Sequence, residues 1–302
     1  MKTGDGTVWQ CRIVGKFRLE GMKITNPVAV GDEVEMNPEN IDEKQGLITR
    51  ILPRTNYVAR QSPRSKHDLH LLASNIDQAL LVTTIVQPNL KPGFIDRFLL
   101  MTEPQNIPAI IVFNKIDLCE EEELELAEAL CGIYESIGYT ALMASARTGQ
   151  GLDQIQVLLK DKTTLIAGQS GVGKSTLVNR LQPQLELKTQ ELSDYSGKGQ
   201  HTTTFAEMHP LDFGGAIIDT PGIKLLGFNN LQPADVAHNF REFFERAEDC
   251  RFGGSCLHRN EPGCAVKKAV EAGQISEIRY LNYLGILEEI EDQNYWERHK
   301  DM

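Results

Sequence analysis

The nine residues "GQSGVGKST", at positions 168–176, restrict the fold more than any other part of the sequence. They begin with the pattern GxxxxGKS and stand between an apolar run, "TTLIA", and a segment of helical character, "TLVNRL". In a strand–loop–helix unit of this kind, glycines let the backbone wrap around phosphate groups while the helix N-terminus favours anions. A chance glycine-rich turn is the alternative, but the flanking strand and helix favour a phosphate-binding loop.

Two side chains of this loop have predicted chemical roles. Lys174 is expected to reach the β- and γ-phosphates of a nucleotide, and Ser175 is expected to place its hydroxyl on Mg²⁺. The later stretch "IIDTPG" ends a second apolar strand, so Asp219 is expected to hold the magnesium shell and the Gly222 N–H to meet the γ-phosphate. The residues of the loop predicted to bind nucleotide are Gly168, Gln169, Ser170, Gly171, Val172, Gly173, Lys174, Ser175 and Thr176.

The motif "NKID", which follows the apolar run "PAIIVF", predicts which base is bound. Asp117 can accept hydrogen bonds from the guanine N1–H and 2-amino group, whereas adenine offers neither donor. Unmatched buried polar groups discriminate by roughly 10⁴-fold or more, so an ATPase of related fold is disfavoured. Asn114 is expected at the other edge of the purine, Lys115 along the base, and "SART" near the guanine oxygen. The predicted base-site residues are Asn114, Lys115, Ile116, Asp117, Ser145 and Ala146.

The order of these motifs is unusual, because the base-reading element precedes the phosphate loop. In most P-loop GTPases the phosphate loop comes first. An open parallel sheet binds its ligand at the carboxyl ends of its strands, so the site depends on which strands are neighbours in space. Cutting and rejoining the chain elsewhere leaves such a site intact. The sequence therefore predicts a circularly permuted GTPase.

Residues 75–228 are predicted to form a doubly wound α/β domain. Their near-continuous apolar runs, such as "QALLVTTIV" and "TALMASA", are typical of strands buried on both faces of a parallel sheet. A helix is predicted over 120–137 from the spacing of Leu126, Leu130, Ile133, Tyr134 and Ile137. Residues 229–302 are predicted to form a helical module that contains a group of cysteines.

Residues 1–66 contain short alternating segments separated by turn residues, which predict a small antiparallel barrel. This module carries 11 Lys and Arg against 8 Asp and Glu, although the whole chain has a net charge of −11. Two interpretations of its side chains stay open. Phe17 and the arginines 18, 50, 54 and 60 could form a stacking and phosphate surface for RNA. Alternatively, Phe17 and Trp9 fill the barrel core and the arginines are ordinary solvated residues.

The spacing Cys250-x5-Cys256-x-His258-x5-Cys264 offers three thiolates and one imidazole within a short segment. Four such ligands suit one closed, tetrahedral, structural Zn²⁺ site. Reduced core cysteines or a disulfide are the alternatives, and a reducing compartment disfavours the disulfide. The basic residues around this segment could meet phosphates or be solvated; they are Arg251, Arg259, Lys267 and Lys268.

Taken together, the sequence resembles the ribosome small-subunit-dependent GTPase A family (RsgA, also called YjeQ) over nearly its whole length. The resemblance rests on "NKID", "GQSGVGKST", "GKGQHTTT" and "DTPG" in permuted order, with a Cys/His cluster behind them. It implies an OB-fold-like barrel, a permuted GTPase domain and a helical zinc-binding domain. It also implies GTP hydrolysis stimulated by the small ribosomal subunit during its late maturation, with the barrel and the zinc domain contacting ribosomal RNA.

Two departures from the family accompany the resemblance. The chain begins near the second barrel strand of the family, so the barrel is expected to be incomplete or closed differently. The first cysteine spacing is one residue longer than the family pattern.

The segment "LSDYSGKGQHTTTF" is predicted to be mobile until a ligand orders it, with Thr203 closing over Mg²⁺ and γ-phosphate. Thr202 and Thr204 are alternatives. The place where many GTPases carry a water-orienting glutamine is Ile223, which cannot orient water. His201 is the candidate replacement, in line with the role proposed in the family, and an RNA-docking histidine is the alternative. The predicted catalytic set is therefore His201, Lys174 and Thr203.

The chain as a whole is expected to be a cytoplasmic, soluble protein, and a monomer. It has no apolar run near the roughly 20 residues that span a bilayer, and no apolar signal region. Its expected partners are GTP or GDP and the small ribosomal subunit with its RNA. No membrane is expected among its partners. A different class of function is an RNA-binding adaptor that uses GTP only as a ligand to set its shape.

Overall fold

The computed structural model describes residues 1–13, 26–61, 69–185, 187, 206–219 and 231–298. A six-stranded sheet lies at the centre, in the order β10-β11-β9-β6-β7-β8. All neighbouring strands are parallel except β10, which is antiparallel to β11. The strands are β6 (Gln78–Thr83), β7 (Ala109–Phe113), β8 (Thr140–Met143), β9 (Thr163–Ala167), β10 (Glu207–Pro210) and β11 (Ala216–Asp219).

Helices cover both faces of this sheet, which confirms the doubly wound α/β prediction. On one face, α1 (Phe94–Thr102) and α2 (Glu121–Ser136) pack on the side chains of alternate strand residues such as Leu81 and Ile111. On the other face, α3 (Leu152–Leu159) and α4 (Lys174–Leu181) pack on the intervening residues. Because both faces are buried, the strands need apolar residues at every position, which explains the continuous apolar runs.

The predicted helix at 120–137 is confirmed as α2. The Glu120 side chain accepts a hydrogen bond from the Glu123 N–H, and the Glu123 side chain accepts one from the Glu120 N–H, so two backbone donors at the helix start are satisfied. Leu130 and Tyr134 are buried, as the spacing predicts. Leu126 is instead exposed, because it lies at the edge of the helix face that packs on the sheet.

The N-terminal strands β1 (Gln10–Ile13), β2 (Val34–Asn40) and β3 (Gln45–Ile51) form a separate sheet in the order β1-β3-β2. β2 and β3 make an antiparallel hairpin, but β1 runs parallel to β3, contrary to the expectation of antiparallel pairing throughout. An alternating pattern shows that a segment is a strand and does not encode its direction. Phe17 and Arg18 lie outside the described residues, and Trp9 is half-buried.

A second hairpin, β4 (Tyr57–Gln61) with β5 (Leu69–Ser74), joins the N-terminal strands to the central domain. Its Val58 and Leu72 belong to the same apolar cluster as α1 and α2. β5 lies between the predicted modules 1–66 and 75–228, in a segment that the sequence assigned to neither. The bounds of the three predicted modules, 1–66, 75–228 and 229–302, stay predictions.

Arg54 belongs to the interior of this junction. Its guanidinium donates to both oxygens of Asp32, at 2.6 and 2.7 Å, and its side chain is only 8% exposed. Burial alone would raise the pKa of Asp32, but hydrogen bonds from Arg54, the Ala29 N–H and Ser74 lower it. Arg54 is therefore a structural residue, unavailable to RNA. Arg50 is exposed beside Glu35, and the side chain of Arg60 lies outside the described part of the chain.

The C-terminal module is helical, as predicted, with an apolar cluster of its own that Leu100 of α1 joins. Its helices are α5 (Pro233–His238), α6 (Arg241–Phe244), α7 (Ala265–Glu271) and α8 (Glu277–Arg298). The predicted helical stretch "PADVAHNFREFFERA" is split at Phe240, whose backbone is extended so that its ring can enter the cluster. Within the described ranges, no helix has both the length and the apolarity needed to cross a membrane.

A buried ionic cluster joins this module to the central domain. Arg279 of α8, 2% exposed, forms an ion pair with Asp96 of α1 and donates to both oxygens of Glu242 of α6, at 2.7 and 2.9 Å. Tyr134 of α2 also donates to Asp96, at 2.8 Å. Burial alone would lower the pKa of Arg279, but Asp96 and Glu242 raise it well above its usual range. The charge of Arg279 is therefore compensated within a buried contact between four helices.

Replacing Arg279 by Ala should strongly destabilise the protein. Two buried carboxylates lose their cation, and breaking such a pair costs about 3–5 kcal/mol. Chemical denaturation followed by tyrosine absorbance or fluorescence measures the loss. The matched control is Arg97→Ala, which removes a half-exposed pair with Glu289 and should cost no more than about 1 kcal/mol. Equal losses for the two variants would contradict this account.

Candidate nucleotide and metal sites

The predicted nucleotide motifs meet at one edge of the central sheet. The phosphate loop follows β9, Asp219 ends β11, Asn114 follows β7, and Ser145 lies two residues beyond the end of β8. These strands are parallel, so their carboxyl ends lie on the same side. The inverted order of the motifs in the sequence therefore leaves their spatial arrangement intact.

The phosphate loop packs too closely for side chains at two of its glycines. Gly173 has φ of +91°, and a Cβ there would lie 2.5 Å from Nδ2 of Asn114. A Cβ on Gly168 would lie 2.1 Å from the carbonyl oxygen of Val82 in β6. The carbonyl oxygen of Val172, between them in sequence, accepts a 2.8 Å hydrogen bond from Asn114. The loop is thus seated directly against the strand and the motif beside it.

The charged residues of the predicted phosphate end lie together. Lys174, the first residue of α4, donates to the carbonyl oxygens of Gly168 and Gln169, each at 2.8 Å. Burial raises the pKa of Asp219, and the positive charge of Lys174 opposes that rise, as does His209. Ser175 is half-buried and Thr176 exposed at the start of α4. A lysine and a carboxylate beside a glycine-rich loop can hold a phosphate group with its cation.

A cleft of about 140 Å³ lies at the predicted base end. Asn114 accepts a 3.0 Å hydrogen bond from the Ala146 N–H, and Ser145 donates to Asp117 at 2.5 Å. Lys115 donates to the carbonyl oxygen of Gln87, at 2.7 Å. Burial lowers the pKa of Lys115 and the charge of Asp117 opposes this shift. The arrangement presents the Asp117 carboxylate, held by Ser145, to a ligand in the cleft.

Three residues of this region were absent from the sequence prediction. Arg147 and Leu118 line the cleft, and Arg147 approaches Asp117 to 3.7 Å. Both stand next to predicted positions, as the third letter of "SART" and the residue after "NKID", so adjacency was the available signal. Gln87 lies far from both motifs in sequence, and no signal indicated its contact with Lys115.

Cys250, Cys256, His258 and Cys264 form a compact, buried cluster between α6 and α7. Their ligand atoms all lie within 4.8 Å of one another. The Sγ atoms of Cys250 and Cys264 are 4.0 Å apart, and Nδ1 of His258 lies 3.4 Å from Sγ of Cys264. A tetrahedral Zn²⁺ with bonds of about 2.3 Å to sulfur and about 2.0 Å to nitrogen would separate its ligands by about 3.5–3.8 Å. The four side chains therefore fit a tetrahedral metal ion.

The surroundings of the cluster also suit a cation. The backbone N–H groups of Ala265 and Lys267 donate to the sulfurs of Cys250 and Cys264. Burial raises the pKa of Cys256 to about 12 and lowers the pKa of His258, so buried thiolates here need a compensating positive charge. Of the basic residues nearby, Arg259 pairs with Glu291 at 2.8 Å, whereas Arg251 and Lys268 are exposed and Lys267 half-buried.

Several predicted residues lie outside the described part of the chain. They are His201, Thr202, Thr203, Thr204, Gly222 and Ile223. Their roles remain as the sequence suggests them.

The fold and the site together define a class of protein, the P-loop nucleotide-binding proteins with a guanine-reading motif and a permuted strand order. Two family models match the chain, RsgA GTPase at residues 51–229 and RsgA N-terminal domain at residues 2–48. The chain belongs to the RsgA GTPase family, and it is accordingly a GTP-hydrolysing enzyme.

Individual relatives agree along nearly the whole chain. A small ribosomal subunit biogenesis GTPase RsgA of Bacteroides fragilis is 47% identical over 98% of this chain and 94% of its own length. The protein of that name from Christiangramia forsetii is 46% identical over 98% and 93%. Crystal structures of YjeQ from Thermotoga maritima and of YloQ, a circularly permuted GTPase, superpose with TM-scores of 0.75 and 0.71. They are 35% and 34% identical, each over 95% of this chain and over 91% and 88% of their own.

Gly173→Ala should abolish nucleotide binding while leaving the protein folded. The added Cβ must displace Asn114, which holds both the phosphate loop and the base motif, and it strains a backbone with positive φ. Titration with a fluorescent GTP analogue tests this. Gly132→Ala, on an exposed position of α2 with no atom within 4 Å of the new Cβ, is the matched control and should bind normally. Normal binding by Gly173→Ala would refute the packing argument.

Proposed function

We propose that this protein hydrolyses GTP in response to the small ribosomal subunit and acts in the late maturation of that subunit. The observation that carries the proposal is the hydrogen bond between Asn114 and Val172, which joins a guanine-reading motif to a phosphate loop despite their inverted order. Family membership and relatives named small ribosomal subunit biogenesis GTPases support the choice of partner. The chain is expected to work as a cytoplasmic monomer.

The proposed nucleotide contacts follow from the geometry. Asp117 accepts from the guanine N1–H and 2-amino group, with Ser145 holding its other side. The Ala146 N–H, which donates to Asn114 in this structure, would lie near the guanine oxygen. Lys174 turns from the loop carbonyls to the β- and γ-phosphates. Mg²⁺ would be held by Ser175, Asp219 and Thr203. A bound Mg²⁺ supplies charge neutralisation at the phosphates, and the protein supplies position.

The proposed catalytic step is the orientation of water by His201. Ile223 occupies the place of the usual glutamine, so a polar side chain from elsewhere must fix the attacking water. We expect docking on the ribosomal subunit to bring this side chain into place, so hydrolysis would depend on the subunit. The competing function, an RNA-binding adaptor that uses GTP as a ligand only, is favoured by this same missing glutamine.

We assign the Cys250, Cys256, His258 and Cys264 cluster to one structural Zn²⁺. All four positions around the ion would be filled by protein, so no open position remains for hydrolytic chemistry. The metal would tie the loops between α6 and α7 to α8, because Tyr280 and Tyr283 of α8 donate to the carbonyl oxygens of His258 and Leu257, each at 2.7 Å.

GTP turnover measured with and without purified small ribosomal subunits tests the function. Turnover should be slow alone and should rise by at least about 10-fold with subunits, as expected when docking completes a catalytic site. Large subunits at the same concentration serve as the control. Equal turnover under all three conditions would favour the adaptor.

His201→Ala should bind GTP normally and lose the stimulation by subunits, because only the orientation of water is removed. A loss of about 10²-fold or more in stimulated turnover is expected for a group of this kind. Asp117→Asn is the contrasting variant, and it should fail at GTP binding. Unchanged stimulated turnover by His201→Ala would disprove the catalytic assignment.

Metal analysis tests the zinc assignment. Carefully purified protein should contain one equivalent of zinc, and Cys256→Ser should lose most of it together with thermal stability. Cys131→Ser, at a cysteine outside the cluster, is the matched control and should retain the metal. Less than half an equivalent in the unaltered protein would count against a structural zinc site.

A further inference from the structure

A groove of about 200 Å³ lies between α2 and α8 and is lined by different residues from the base cleft. Its floor and walls are mainly apolar. Phe94 comes from α1, Leu126, Leu130 and Tyr134 come from α2, and Ile278 and Asn282 come from α8. The groove is therefore shared between the central domain and the C-terminal module.

Two large apolar side chains that line this groove, and a third that follows on α8, are exposed to solvent. Leu126 is 43% exposed, Ile278 is 44% exposed, and Leu281 is 58% exposed. Leu281 does not line the groove but lies three residues after Ile278 on α8, about 60° away around the helix. Single exposed apolar residues are normal on a protein surface, but several around one apolar groove are typical of a binding site.

The groove is built to keep its shape. Tyr134 donates to Asp96 at 2.8 Å, and Asn282 donates to the same carboxylate at 2.6 Å. Asp96 is itself fixed by Arg279. Leu126, Leu130 and Tyr134 follow one another at intervals of one turn, so the α2 wall is about 12 Å long. This length matches about two turns of a helix lying along the groove, a common mode of peptide recognition.

The helices on both sides of the groove are acidic. α2 carries no Lys or Arg, and its acidic residues are Glu121, Glu122, Glu123, Glu125, Glu128 and Glu135. Glu122 lies one turn before Leu126, and Glu277 lies next to Ile278. On α8, Glu288 and Asp292 are also exposed, whereas Arg279 is buried.

Basic residues at the groove are few. Lys91 is the basic residue in its lining, and Arg97 nearby is paired with Glu289 at 2.6 Å. The negative rim repels RNA phosphates, and two copies of this surface would bring like charges together. The complementary partner is a protein helix with apolar residues on one face and Lys or Arg on both flanks.

We propose that this groove binds a basic amphipathic helical segment of a small-subunit protein, an assignment that rests on the proposed function. The segment places apolar side chains between Leu126, Leu130 and Ile278, and its basic flanks face the acidic rims of α2 and α8. Because the walls belong to the central domain and to the C-terminal module, the bound helix contacts both and holds them in one arrangement.

Peptide binding tests the chemistry of the groove without the ribosome. The probe is a fluorescein-labelled synthetic helix of about five turns, with leucines on one face and lysines on its flanks. Leu126→Ser combined with Ile278→Ser should weaken its binding by about 30-fold or more, because two of the large apolar contacts of the groove are removed together. Val157→Ser, at an exposed apolar position on α3, is the matched control and should bind normally.

Two comparison peptides complete this experiment. One has glutamates in place of the lysines, and the other keeps the composition but scatters the leucines over all faces. Both comparison peptides should bind the unaltered protein much more weakly than the probe does. The protein variants should keep the melting temperature and the basal GTP turnover of the unaltered protein, which shows that they are folded. Equal binding of all peptides, or equal binding by the double variant and the control, would overturn the proposal.

Crosslinking identifies the source of the segment. A photoreactive amino acid at position 281 of the full chain, irradiated with purified small subunits, should attach to a Lys- and Arg-rich segment of a subunit protein. The proposal would be refuted if the photoreactive group attached to RNA or to a second copy of the chain. It would also be refuted if nothing were attached under conditions where subunits stimulate turnover. Peptide binding without any stimulation by subunits would instead contradict the proposed function alone.

Discussion

The side-chain amide of Asn114 is the contact on which the nucleotide site depends. Its NH₂ group donates to the phosphate loop at Val172, and its oxygen accepts from the Ala146 N–H. Only 2% of the residue is exposed, so both ends of the amide need partners within the protein. One uncharged side chain with a donor and an acceptor thereby fixes three loops from three strands. The site is a rigid unit in space, which explains why it tolerates a change in the order of its parts.

Patterns that depend on local chemistry were readable from the sequence. The strand–loop–helix around residue 168, the apolar strands of the central sheet and the helix at 120–137 follow from spacing and composition alone. The four clustered metal-ligand candidates also follow from spacing, since residues so close in sequence can converge without long-range information. The permuted order was readable because parallel strands bring their carboxyl ends to one edge whatever their order.

Features that depend on distant contacts were not readable. The parallel pairing of β1 with β3 requires knowledge of how the chain returns, and the hairpin of β4 and β5 lies across a predicted boundary. Arg54 looked like a surface arginine because its partner, Asp32, is far away in sequence. The same reason hid Arg279, whose partners Asp96 and Glu242 lie in two other helices. A charged residue can be recognised as buried only when the positions of its partners in the fold are known.

The contact of Arg279 with Asp96 and Glu242 also limits how this protein can change over evolution. An arginine without its carboxylates, or carboxylates without their arginine, would each leave a bare charge in the interior. Single substitutions therefore carry the cost of that bare charge, and a joint replacement by apolar residues must also provide for Tyr134 and Asn282, which donate to Asp96. Among descendants of a common ancestor, positions 96, 242 and 279 should vary in concert.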